Sequence, residues 1–233
     1  MPERMALHPQ PLNESQPSEV ISANEAPAFL SELGIDVTGI QTSLLSAVDA
    51  AMLRDDPFWA NTAPGFEPWS NLVHGVREHL HNDGEWTVEN PQNRPVMIRN
   101  EGRYELAIAG GDSGTGIAEL QPGFARKPGK ATIHSANRYS HSESSVLIPL
   151  RDLNTFTETS HHPRHPFGTW ILLYRCTKQG IYSEISVPAH ISSDGEVDNW
   201  RLRVLLPTIT DLGDKVAKPL PDILDDDVDF YIA

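Results

Sequence analysis

Apolar and polar residues alternate most strictly between Thr169 and Leu206. Trp170, Leu172, Tyr174 and Cys176 share one parity. So do Ile181, Ser183, Ile185 and Val187, and again Trp200, Leu202, Val204 and Leu206. A period of two over three successive runs predicts a meander of three half-buried strands. Lys178 and Gln179 with Gly180 close the first turn, and Asp194-Gly195 signals a type I′ turn in the second. Closing both turns sets a register: Cys176 opposite Ile181, Leu172 opposite Ile185, Val187 opposite Leu202 and Ile185 opposite Val204. The apolar faces then coincide, as a sheet requires, because a slip of one residue turns every side chain over. On the other face Glu184 lies diagonal to Arg175 and Arg203. This reads as a cross-strand charge ladder, with a catalytic carboxylate flanked by arginines as the alternative.

Upstream the period changes. Val37, Ile40, Leu44, Val48 and Met52 recur at helical spacing behind a capping Asp36, and Asp55-Asp56-Pro57 stops the run. Phe58 and Trp59 then fall in a turn with Pro64-Gly65. Trp69, Leu72, Val73, Val76 and Leu80 mark a second helix with Pro68 near its first turn. A short helix over 26–33 precedes this pair. Trp86–Val88 reads as a short strand, and Val96–Arg99 with Arg103–Ala109 as a hairpin around Asn100-Glu101-Gly102. Ser145–Leu150 reads as a short edge strand, while 117–143 and 154–168 read as irregular. The fold class is therefore α+β, with an N-terminal helical pair packed on a mostly antiparallel sheet that ends in the meander. The expected core is Val37, Ile40, Leu44, Val48, Trp69, Leu72, Val76, Leu106, Ile108, Trp170, Leu172, Ile185, Val204 and Leu206.

Composition adds the flanks. Residues 1–25, rich in Pro, Ser, Asn and Glu, read as a disordered leader, 26–210 as one domain and 211–233 as an acidic tail. That tail holds seven aspartates against Lys215 and Lys218. No apolar run approaches a membrane span, and the N-terminus lacks the apolar core of a signal peptide, so a cytoplasmic location is expected. Cys176 is the only cysteine, which excludes an internal disulfide and a cysteine-rich zinc site. The net charge of −14 disfavours extended nucleic-acid binding.

Candidate chemistry gathers in the two irregular segments. Gly110, Gly111, Asp112, Ser113, Gly114, Thr115 and Gly116 leave a strand as a glycine-rich loop that could cradle an anion on successive amides. No Walker or dinucleotide fingerprint accompanies it, and a turn needing positive φ angles is the plainer reading. Between Glu119 and Glu143 there is no acidic residue, while Arg126, Lys127, Lys130 and Arg138 occur there with His134 and His141. In a chain of this charge the stretch is a basic island. Its complement is a phosphate-bearing ligand or an acidic patch on a partner. The segment with the sequence HHPRHP holds His161, His162 and His165, candidate ligands for a divalent metal with Asp112, His134 or His141. HExxH, GxSxG and the cysteine pair of a zinc deaminase are all absent.

Three functions fit these residues. The first is an accessory or regulatory binding protein that recognises a macromolecular partner or a phosphate-bearing ligand through loops 110–142 and 154–168. The second is a metal-dependent phosphoester hydrolase of nuclease type, using Asp112, His134 and His161 with Arg126 and Lys130 on phosphate. The third is an acidic nucleic-acid mimic or inhibitor acting through the tail. The lack of a catalytic motif places the binding protein first.

Overall fold

The computed structural model describes residues 19–52, 63–138 and 164–210. Its strands are β1 (Glu19–Ile21), β2 (Thr87–Glu89), β3 (Val96–Arg99), β4 (Tyr104–Gly110), β5 (Gly168–Thr177), β6 (Gly180–Ile191) and β7 (Val197–Leu205). Its α-helices are α1 (Ala26–Ser31), α2 (Val37–Met52), α3 (Ala63–Asn82) and α4 (Lys130–Arg138). The strands form one sheet in the order β1-β7-β6-β5-β4-β3-β2. The neighbours are antiparallel except β1 with β7 and β4 with β5, so the α+β class holds, with a mixed but mostly antiparallel sheet.

The meander has the register that its alternation requires. Cys176 pairs Ile181 and Leu172 pairs Ile185. Ile185 pairs Val204 and Val187 pairs Leu202. The second turn differs from expectation. Ser192 and Glu196 close it through a 2.8 Å backbone bond, leaving 193–195 as a three-residue loop rather than a two-residue type I′ turn. Only Gly195 in it has positive φ, at 87°.

Trp200 also departs from its expected face. Leu202 pairs Val187 and Trp200 pairs Pro188, so Arg201 is an extra residue that breaks the alternation as a bulge. Leu202 and Val204 pack with the helices, and Trp200 packs on the opposite side. Pro188 explains the site of the bulge, since a proline in a central strand cannot donate to the ladder.

Three helices cover one face. Asp36 caps α2, accepting from Thr38 N at 3.1 Å and Gly39 N at 3.0 Å. The α3 helix begins at Ala63, so Pro68 stands inside it and 63–67 are helical rather than a turn. Ile40, Leu44, Leu72, Val76 and Leu80 meet Leu106, Trp170, Leu172, Ile185 and Val204 in the larger core. Trp69 and Ile108, expected in that core, are only half-buried; Trp69 donates its indole N–H to the Ile108 carbonyl at 3.2 Å.

The opposite face is covered as well. Ile171, Leu173, Ile191 and Trp200 form a second cluster with Ala136, against which Ile133 and Phe124 pack. This cover comes from the connection between the parallel strands β4 and β5, which must cross the sheet to return. It contains α4, in a stretch expected to be irregular. Residues 19–25, assigned to the leader on composition, carry β1 and the turn after it; Glu19–Ile21 runs parallel to β7. Residues 1–18, 139–163, with the expected strand at 145–150, and the tail 211–233 lie outside the described residues.

Candidate functional site: the crossover loop and α4

The glycine-rich loop leaves the end of β4 and is tied inward. Gly111 N donates to the Tyr174 carbonyl at 2.9 Å and Asp112 N to that of Gly123 at 3.1 Å. The Asp112 carboxylate accepts from Gly114 N at 2.9 Å, and Gly116 N donates to Glu184 at 2.9 Å. A phosphate cradle needs amides that face a ligand. These amides face the protein's own carboxylates and carbonyls, so Gly110, Gly111, Gly114 and Thr115 serve the turn. Gly114 has no room for a side chain, because a Cβ there would lie 2.5 Å from the Gln121 carbonyl oxygen.

Glu184 and Arg203 are the anchor: they form the expected cross-strand charge pair, but it is buried and holds the loop. Both are buried, and Arg203 Nη2 meets Glu184 Oε2 at 2.6 Å. The guanidinium also donates to the carbonyls of Ile117 at 3.0 Å and Leu120 at 2.7 Å. Burying a carboxylate is costly unless it is paired and hydrogen-bonded. Here the ion pair, the Gly116 amide and the Ser186 hydroxyl meet that need. Arg175, the other expected neighbour, instead donates to the Ser113 carbonyl at 3.0 Å.

A second buried network seats α4. Arg94 forks onto Glu105 at 2.7 and 2.8 Å, while Ser135 and Thr169 donate to the same carboxylate at 2.9 and 3.0 Å. Burial alone would push the Glu105 carboxyl up. The Arg94 bonds and charge, with the two hydroxyls, outweigh it and hold the group below the usual carboxylate range. Asn137 completes the seat, donating to the Ile191 carbonyl at 2.7 Å and accepting from Ile191 N at 2.9 Å, where β6 is irregular.

With Ser135 and Ala136 turned in, Lys130, His134 and Arg138 are exposed. They recur every four residues, which places them along one stripe of the helix. Arg126 and Lys127, also exposed, lead into it. Beside them a cleft of about 500 Å³ opens between the loop and the β6–β7 turn, lined in part by Asp112, Gln121, Lys127, Asp194 and Glu196. Lys127 Nζ lies 3.7 Å from Asp194 there.

Among the described residues the proposed metal ligands Asp112, His134 and His165 do not converge. His165 is buried beneath α1, its Nε2 2.9 Å from the Phe29 carbonyl and its ring 4.3 Å from that of Phe29. It is a packing histidine on the helical face, whereas His134 lies on α4 across the sheet. Asp112 follows Gly110, which pairs Tyr174, and His165 precedes Gly168, which pairs Tyr104. Those ends are separated by the length of β4, roughly 20 Å at 3.3 Å per residue. His161 and His162 lie outside the described residues. Among the described residues no group of three or more His, Cys, Asp or Glu is placed to hold a metal ion. Cys176 is no nucleophile either, because burial pushes its thiol up to about 12.

No helix among the described residues is long and apolar enough to cross a membrane. The chain matches no family model, no curated protein and no solved structure. Reading residues alone missed Glu105, Arg94, Ser135 and Asn137. The signal was present: Ile171 and Leu173 make β5 apolar on both parities, as strands buried on both faces are. An exposed His190–Asp198 pair, at 2.6 Å beside the bulge, also went unmarked.

Proposed function

We propose that the protein is an accessory or regulatory binding protein whose recognition surface is the outer face of α4 and the 124–130 segment leading into it. The observation that carries this reading is the stripe of Lys130, His134 and Arg138, continued by Arg126, on an ordered helix of a chain with net charge −14. A solvated loop would scatter those charges. Here Ser135, Ala136 and Asn137 fix the inner side, so the outer side presents Lys130 and Arg138 along one stripe, with His134 between them. Lys130 and Arg138, eight residues apart, are about 12 Å apart along the helix axis, a spacing that carboxylates two turns apart on an acidic helix can match. The complement favoured by this geometry is an acidic protein surface. A bound phosphate-bearing ligand uses the same cations.

The test is titration with poly-glutamate as a stand-in for such a surface. The triple substitution Arg126→Ala, Lys127→Ala, Lys130→Ala removes exposed cations and leaves the seat of α4 untouched. Three exposed contacts at about 0.5 kcal/mol each give roughly a tenfold rise in Kd. Equal affinity in the variant and the parent, with unchanged circular dichroism, refutes the surface.

A further inference from the structure

The cleft beside α4 narrows what the surface can take. Lys127 lines it, and Lys130 follows three residues on, within about 11 Å along the chain. The β6–β7 turn packs on the same stretch: a Cβ on Gly195 would lie 2.7 Å from Pro128 Cδ and 2.9 Å from Lys127 Cγ. That turn brings Asp194 and Glu196 to the cleft, and the glycine-rich loop brings Asp112. The surface is therefore dipolar, with cations along α4 and carboxylates beside its start. We propose that the partner segment is amphoteric, with carboxylates that lie along Lys130 and Arg138 and an arginine that enters the cleft. The proposal rests on the binding reading above and names its partner.

The donors and acceptors of the cleft decide for arginine. Gln121 donates from Nε2 to the carbonyls of Val197 at 3.0 Å and Asp198 at 3.2 Å, so its own carbonyl is what it offers a ligand. Asp112, Asp194 and Glu196 are acceptors too, and among the polar side chains lining the cleft only Lys127 is left as a donor. A guanidinium is the converse, with five donors and no acceptor. Its planar fork suits carboxylates, and it is more weakly hydrated than an ammonium. Phe124 lines the cleft as well and gives the aliphatic stem an apolar contact. Lys127 Nζ is now 3.7 Å from Asp194. When the arginine takes Asp194, Lys127 is released to the nearest carboxylate of the partner. The same acidic groups select against other partners. A uniform polyanion, such as a nucleic acid, brings charge of the wrong sign against them, and repulsion of that kind is a source of specificity.

The test is titration of the full chain with three alanine-based peptides of equal length, each with glutamate at every fourth position. One has arginine at both ends, which makes the direction of the segment immaterial. One has alanine at both ends. The third has the composition of the first with its arginines at the centre, which controls for net charge. The arginine-ended peptide should bind about threefold more tightly than either of the others, the effect of one exposed ion pair. In the Asp194→Asn, Glu196→Gln variant, which changes two exposed side chains of the turn, that advantage should vanish. The alanine-ended peptide should bind the variant more tightly than it binds the parent, because Lys127 has lost its internal partner. A merely structural role of the turn would weaken all three peptides together, and circular dichroism checks that the variant is folded.

The outcomes separate this inference from the reading beneath it. Equal binding of the three peptides overturns the amphoteric partner and leaves the binding surface in place. An arginine preference of the same size in parent and variant overturns it too, since the cleft is then not its source. No binding by any peptide removes the surface and this partner with it. Single-stranded DNA of equal charge that binds more tightly than the arginine-ended peptide also overturns the proposal, because the surface then favours a uniform polyanion.

Discussion

Glu184 has no exposed surface, and Arg203 is the buried charge paired with it. Removing one member of a buried pair costs about 3–5 kcal/mol, because the other is stranded. Arg203→Ala should lower the free energy of unfolding by that amount in guanidinium titration. It should also speed amide exchange at Gly116 and Ile117, whose loop the guanidinium fastens. Replacing both residues, with Glu184→Leu and Arg203→Met, should cost clearly less than Arg203→Ala alone. Glu105 gives a pH counterpart. Its carboxyl is held below the ordinary range. The stability it contributes is therefore complete above the unfolded value, near 4.3, and is lost as pH falls through the folded value. The parent should lose stability below about pH 4 more steeply than Glu105→Gln; parallel acid-denaturation curves would refute the linkage. The register makes the nearness of Glu184 to Arg203 legible from residues alone. The burial of the pair is not legible, because the cover comes from a loop with no periodicity.

At the level of elements, legibility follows how much of each element is apolar. The meander and α2 announce themselves because each has one continuous apolar face. The α4 helix does not. Its inner side is Ser135, Ala136 and half-buried Ile133, and polar bonds seat it as much as apolar contact does. The bulge at Arg201 hides in the same way, for alternation continues through it in the sequence while the chain turns Trp200 to the other face. Pro188 opposite Trp200 was the available sign. Asn137 ties α4 to that irregular stretch by satisfying both backbone groups of the buried Ile191. Asn137→Ala should strand them, at about 1–3 kcal/mol. The expected signature is local: faster amide exchange at Ile191 and along α4, with the β4–β5 ladder still protected. Uniform loss of protection would show instead that α4 is part of the global folding unit.

Across the whole molecule, opposing fields decide what binds. The net charge of −14 repels any anion over long range, while Arg126, Lys127 and Lys130 attract it at contact. Salt separates the two, because the screening length is about 30 Å at 0.01 M, about 10 Å at 0.1 M and about 3 Å at 1 M. At the lowest salt an approaching polyanion feels the entire chain and is repelled. Near 0.1 M the distant charges are screened and the stripe on α4 remains in force, so binding should be strongest there. At 1 M the contact itself weakens. Poly-glutamate affinity should therefore pass through a maximum with ionic strength. In the Arg126→Ala, Lys127→Ala, Lys130→Ala variant the attractive arm is weakened, so affinity should fall less steeply at high salt. A monotonic decline in the parent from 0.01 M upward would mean that the partner never senses the net charge. A recognition surface set within an acidic chain would then have no basis.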